Sequence, residues 1–163
     1  ELKQNAEERN KTFSRNKKED AKHKDIIHRL MTECNFKKVS RRDIERYKLW
    51  EEFGYVSPYE PSKPISLSEL FSGAYEVEHI IPKSRLFDDS FANKTICPRP
   101  INAAKDNQTA FDYMSGLGQQ KLDEFTDFIQ KHKTKKDGIS QTKAKYLLCK
   151  GSEIPQDFIN RQM

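Results

Sequence analysis

Tyr75-Glu76-Val77-Glu78-His79-Ile80-Ile81-Pro82 is the stretch that decides the reading of this chain. Apolar and polar residues alternate through it with the two-residue period of a half-buried strand. The alternation delivers a carboxylate and an imidazole, Glu78 and His79, side by side at the strand's end. Pro82 has no N–H to give a ladder and stops it. A first strand is therefore expected over Tyr75 to Ile81. A second is expected at Thr95-Ile96-Cys97, closed by Pro98 and Pro100, with Asp88, Asp89, Ser90 and Asn93 in the loop between. Pro100 suits the first turn of a helix that runs to about Lys105 and carries Asn102.

Working outward, helix formers dominate. Residues 2–33 contain neither Gly nor Pro and are rich in Glu, Lys, Arg, Gln and Ala. Apolar residues gather only at Ile26, Ile27, Leu30 and Met31, so only the last two turns have a face to bury. A second helix is expected from the Ser40 cap to Phe53, with Ile44, Tyr47, Trp50 and Phe53 along one face and Gly54 ending it. Three prolines mark turns between Gly54 and Pro64, and residues 66–71 read as a short helix or turn. Helical spacing returns at Ala110–Met114, at Gln119–His132 through Leu122, Phe125, Phe128 and Ile129, and at about 140–149 and 155–162. His23, His28 and His132 sit in charged stretches and are expected to face solvent.

The chain has 163 residues, of which 34% are hydrophobic and 34% charged. That balance predicts a small core with solvated helices around it. The net charge of +5 is unevenly placed: residues 1–48 carry +6, residues 49–120 carry −4 and residues 121–163 carry +3. Basic flanks can bind a polyanion by releasing its counterions, and an acidic centre can hold a cation. Lys-rich helices can equally be just soluble surface. Cys34, Cys97 and Cys149 are widely spaced and odd in number, which argues against a disulfide framework or a cysteine zinc site and fits a reducing compartment. No apolar run is long enough to span a bilayer, so no membrane partner is expected. A chain that begins at Glu1 is expected to be a piece of something larger.

Glu78, His79 and Asn102 together suit metal-assisted phosphodiester hydrolysis. That reaction needs a divalent ion on the scissile phosphate and a base on the attacking water, on opposite sides of phosphorus. Neighbouring residues on a strand point to opposite faces, so Glu78 can meet the ion while His79 meets the water. Asn102 would be a second ligand, with water and phosphate oxygens completing an octahedral Mg²⁺. Oxygen donors of this kind disfavour zinc. A neutral imidazole, titrating near about 6.5 when unperturbed, is available as a base at neutral pH. A carbonyl from the Asn93 loop could hold it in one tautomer. Taken singly, Glu78-His79 is as readily a surface pair, Asn93 a turn former, and Asn102 and Lys105 exposed helix residues. Their order along the chain is far more specific than any member.

Tyr75 to Ser84, then Asp89-Ser90-Phe91-Ala92-Asn93-Lys94, then Asn102-Ala103-Ala104-Lys105, resembles the HNH nuclease signature in the form inserted in the RNA-guided DNA endonucleases of type II CRISPR systems. Lys48-Leu49-Trp50 and Lys63-Pro64-Ile65 look like the approach to that motif, and residues 157–163 like the exit towards a second nuclease domain. The resemblance covers roughly residues 44–163. It implies an α+β, mostly helical fold: a ββα-metal core at about 74–106 with a short two-stranded antiparallel sheet, wrapped by helices that include 107–163. Residues 1–40 would be a basic helical linker entering a nuclease domain at 41–163. The resemblance further implies His79 as general base, Asn93 as the residue positioning it, and Glu78 and Asn102 as ligands of Mg²⁺, for which Mn²⁺ should substitute. Lys105, Lys83 and Lys94 would contact nucleic acid. The partners implied are the target DNA strand in an RNA–DNA heteroduplex, the guide RNA and the other domains of a parent nuclease, in a bacterial cytoplasm. Two departures stand out. Glu78 occupies a position where the family commonly has Asp, which lengthens the ligand by a methylene. Ser57-Pro58-Tyr59-Glu60 occupies a turn where many relatives carry zinc-binding cysteines, so no structural zinc is expected.

Overall fold

The computed structural model describes residues 2–154, with side chains from residue 5 onward apart from Phe13. The helix expected over 155–162 lies outside the described residues. The chain divides into two compact units, Glu1–Ile44 and Glu45–Met163. The first is dominated by α1, Leu2–Glu33, whose described side chains are mostly exposed, with Ile26 and Leu30 buried and His23, Ile27 and Arg29 half-buried near its end. Its boundary with the second falls within α2, Arg41–Glu52. Ser40 caps α2 reciprocally: its Oγ accepts from the Asp43 N–H (3.2 Å) and its own N–H donates to Asp43 Oδ2 (2.9 Å). Gly54, at φ 71°, ends the run in a conformation that glycine adopts without strain.

In the second unit, α3 (Leu67–Leu70) is capped by Ser66 and leads into β1, Tyr75–His79. β1 pairs antiparallel with β2, Lys94–Pro98, in a two-stranded sheet. The register sets Tyr75 opposite Pro98, Glu78 opposite Thr95 and His79 opposite Lys94. β1 ends two residues earlier than its alternation predicts. The reason is local: the Ile80 N–H donates to the Asn93 carbonyl (2.8 Å) and the Ile81 N–H to Asn93 Oδ1 (2.9 Å), so loop groups replace the ladder. A 3-10 turn at Phe91–Asn93 delivers Asn93 to that position. α4, Arg99–Lys105, follows β2 directly with Pro100 in its first turn. The strands and α4 make a compact ββα unit.

α5 (Ala110–Gly116), α6 (Gln119–Lys133) and α7 (Gln141–Leu147) wrap it, α5 capped by Thr109 and α7 by Ser140. Their apolar faces meet the sheet in one core, where Ile80 and Cys97 from the strand region pack with Met114, Phe125, Ile129 and Leu147. Tyr59 stacks on Phe125, at 6.0 Å between ring centroids. Cys97 is fully buried, and burial pushes its thiol far above the usual range, as suits a small apolar filler. Two of the three histidines expected to face solvent do not do so fully. His23 is half-buried, with its Nε2 shielded. His132 is not solvent-facing: it is 5% exposed, its Nδ1 lies 3.0 Å from the Phe128 carbonyl, and its ring packs against Phe128 and Phe53. Phe125, Ile129 and His132 fall at i, i+4 and i+7, so helical periodicity carries the imidazole inward although lysines flank it in sequence.

Candidate active site

The strand alternation sends Glu78 and His79 to different environments. Glu78 is 3% exposed. Its Oε1 accepts a hydrogen bond from the Tyr59 hydroxyl, and the Lys105 ammonium stands 3.2 Å from its Oε2. No hydrogen bond of good direction reaches Oε2, which is buried and unsatisfied among the described residues, as is the hydroxyl of its cross-strand partner Thr95. Burial pushes the Glu78 carboxyl above its ordinary pKa, against the opposing pull of Lys105 and Tyr59. Burial and the neighbouring carboxylate in turn hold the Tyr59 phenol well above its own.

Lys105 is corrected as a phosphate contact. It is 1% exposed and its ammonium is committed inward, to Glu78 and to the His79 carbonyl (3.2 Å). The physical reason is countercharge: a carboxylate taken out of water needs a cation close by, and the last turn of α4 supplies one. Asn102, one turn earlier on α4, donates from Nδ2 to Glu76 Oε2 at 2.5 Å. Glu76 lies two residues before Glu78, on the same face of the strand, and also meets the Arg99 guanidinium at 3.3 Å. The arrangement thus puts two carboxylates and an amide along one edge of the ββα unit, with Asn102 on Glu76 rather than on Glu78.

His79 stands at the open end of β1, its side chain 23% exposed. Its Nε2 is 2.7 Å from Asp89 Oδ1. Asp89 is a residue to which sequence reasoning gives no role: it appears only as a loop residue within the motif Asp89-Ser90-Phe91-Ala92-Asn93-Lys94. Its carboxyl is held below the usual range, first by the hydrogen bond to His79, then by Lys94 and Lys83. Asn93 makes its side-chain hydrogen bonds to backbone groups of the loop rather than to the imidazole. It is fully buried and braces backbone: Oδ1 takes the Ile81 N–H, while Nδ2 donates to the carbonyls of Ile81 (3.0 Å) and Asp88 (2.9 Å). Lys94 is drawn into Glu45 (3.2 Å) and Asp89 (3.6 Å), whereas Lys83 is half exposed, 3.7 Å from Asp89 and over the Phe87 ring.

Among the described residues no cluster of three or more His, Cys, Asp and Glu forms a ready-made metal site. The donor set nevertheless suits a hard cation: all are oxygens, and the buried Glu78 Oε2 has the Lys105 ammonium near it but no well-directed hydrogen bond. In the turn at Ser57–Glu60, the Ser57 hydroxyl donates to the Ile96 carbonyl (2.7 Å) and the Tyr59 hydroxyl donates to Glu78.

Comparison with known proteins agrees with this geometry. Residues 61–111 match a family model for HNH endonucleases. The chain is 37% identical over 106 residues to the CRISPR-associated endonuclease Cas9 of Staphylococcus aureus, a match covering 61% of this chain and 10% of that protein. It is 30% identical over 125 residues to Cas9 1 of Streptococcus thermophilus, covering 72% of this chain and 11% of the relative. Among solved structures, a crystal structure of Streptococcus thermophilus Cas9 in complex with an AGGA PAM superimposes with a TM-score of 0.63 at 25% identity, over 87% of this chain and 14% of that one. The chain thus spans about a tenth of the length of the curated relatives it matches. With the signature residues borne on a strand, a turned loop and a following helix, the chain belongs to the HNH endonucleases, as the HNH domain of a type II CRISPR endonuclease.

Proposed function

We propose that this domain hydrolyses one DNA strand, the strand paired to a guide RNA in a heteroduplex, with His79 as general base and one Mg²⁺ held by Glu78 and Asn102. The observation that carries the reading is the placement of His79 at the open end of β1, next in sequence to a buried carboxylate and close to the helix that bears Asn102. When bound, the ion would polarise the scissile phosphate and offset charge on the leaving oxygen. The remaining work falls to the chain. His79 takes the proton from the attacking water. Glu78 and Asn102 fix the cation side of the phosphate, with Glu76 as the partner Asn102 must release or share. Asn93 acts at one remove, bracing the backbone on both sides of the loop that faces His79. Lys83, half exposed beside Asp89, would be the lysine that meets a phosphate, since its ammonium is open to solvent. The guide RNA and other domains of a parent nuclease would present the strand.

Single-turnover nicking of a labelled DNA strand, alone and annealed to RNA, in Mg²⁺ and in Mn²⁺, tests this. His79→Ala should lower the rate about 10²–10⁴-fold, the span of a lost general base, while Mn²⁺ binding and the fold persist. Undiminished nicking by that variant would remove His79 from the role. Absence of both nicking and Mn²⁺ binding would leave a nucleic-acid-binding module.

A further inference from the structure

We propose that Asp89 positions the catalytic imidazole: its carboxylate accepts the Nε2–H of His79 and so leaves Nδ1 as the nitrogen that takes the proton from water. The proposal rests on the nuclease reading for its consequence but on geometry for its content. The Nε2 to Oδ1 separation of 2.7 Å lies at the short end for a charge-assisted bond. An ionised carboxylate has no proton to give, so the ring nitrogen facing it is the donor. In a neutral imidazole the other nitrogen then holds the lone pair. The low pKa of Asp89 supports this, since its carboxyl stays ionised throughout the range in which a histidine works.

An exposed ion pair would ordinarily carry little weight, and the Asp89 side chain is 57% exposed. What sets this one apart is that its backbone is held from both sides. The preceding residue, Asp88, accepts the Ser90 N–H at Oδ1 (2.9 Å), the Tyr146 hydroxyl at Oδ2 (2.7 Å) and the Asn93 amide at its carbonyl (2.9 Å). Asn93 is itself bonded to Ile80 and Ile81, immediately after His79. Lys94, cross-strand from His79, stands 3.6 Å from the same Oδ1 and adds a cation that keeps the carboxylate ionised. Asp89 is therefore delivered to the imidazole by α7, by the buried amide and by the sheet together. When the proton arrives on Nδ1, the ring becomes an imidazolium and the Asp89 carboxylate, still ionised, offsets its charge. No proton passes to Asp89.

The test reads the ring directly. In ¹⁵N-labelled protein, long-range ¹H–¹⁵N correlations of His79, assigned by their loss in His79→Gln, should show the Nε2–H tautomer. Asp89→Ala should convert it to a mixture of tautomers, and Asp89→Asn, whose amide oxygen still accepts, should retain it. A wild-type ring protonated on Nδ1, or a tautomer indifferent to Asp89→Ala, would overturn the proposal. In nicking assays Asp89→Ala should lower the single-turnover rate about 10–100-fold, the usual cost of an outer partner of a working histidine, with substrate affinity unchanged and partial rescue by Asp89→Asn. A faster Asp89→Ala enzyme would overturn it too, by making the carboxylate a cover over the base. Failure of the wild type to nick would count against the nuclease reading alone, because the tautomer is measured without turnover.

Discussion

At the scale of single residues, the Glu78–Lys105 pair is a buried ion pair that is expensive to break. Both side chains are all but excluded from solvent, at 2% and 1% exposure, and neither has water to fall back on. Removing one partner of such a pair strands the other charge, whereas removing both can be nearly neutral. Lys105→Met should therefore destabilise the fold by about 3–5 kcal/mol in urea titrations. Adding Glu78→Gln should recover most of that loss, and a double variant no better than the single one would show that the pair is not coupled. Lys105 is also a reminder that a lysine's place cannot be read from its charge. In sequence it resembles any polar residue at a helix end.

At the scale of elements, α4 closes on an unfavourable residue. Asp106, its C-cap, sits at φ 49° and ψ −123°, a region that glycine enters freely and other residues reach only with strain. Asp106→Gly should raise stability by about 1 kcal/mol, the lower end of the strain released, and shift the urea midpoint upward without changing its slope. An unchanged or lowered midpoint would mean that the Asp106 side chain contributes more than its backbone costs. The elements themselves follow closely from sequence. Ser40, Ser66, Thr109 and Ser140 each cap the helix they precede, and Pro100 starts the one that bears Asn102. β1 is the instructive exception. Its alternation runs on past His79, but Asn93 offers the backbone of Ile80 and Ile81 better partners than a lengthened β2 would.

At the scale of the molecule, the core couples stability to pH through His132. Burial lowers its pKa, against the Phe128 carbonyl that would raise it and with the help of Lys135 and Lys131. The folded protein thus favours the neutral ring, and the unfolded chain binds the extra proton first. The stabilisation is complete above the ordinary histidine value of about 6.5 and is lost as pH falls through the lower folded value. Urea midpoints should therefore drop between pH 7 and pH 5 more steeply in the wild type than in His132→Phe. Parallel slopes would show that another group governs the acid limb. The same core brings α7 against the loop between β1 and β2, through Tyr146 on Asp88 and Lys143 over the Phe91 ring at 4.1 Å.

Sequence by itself determined the two short strands, their bounding prolines, the capped helices around them, and the neighbouring placement of Glu78 and His79 with Asn102 on the following helix. These depend on side-chain period, missing backbone donors and cap chemistry, all of which act within a few residues. Only the tertiary structure decided what each charged or polar group meets. Tyr59 and Lys105 on Glu78, Asp89 on His79, Glu76 on Asn102 and the inward turn of His132 depend on where the chain returns in space. The physical reason is that apolar residues have one favourable fate, burial, which periodicity reveals. A charged residue has two, water or a partner, and the choice between them is made by whichever group the fold places within about 3 Å.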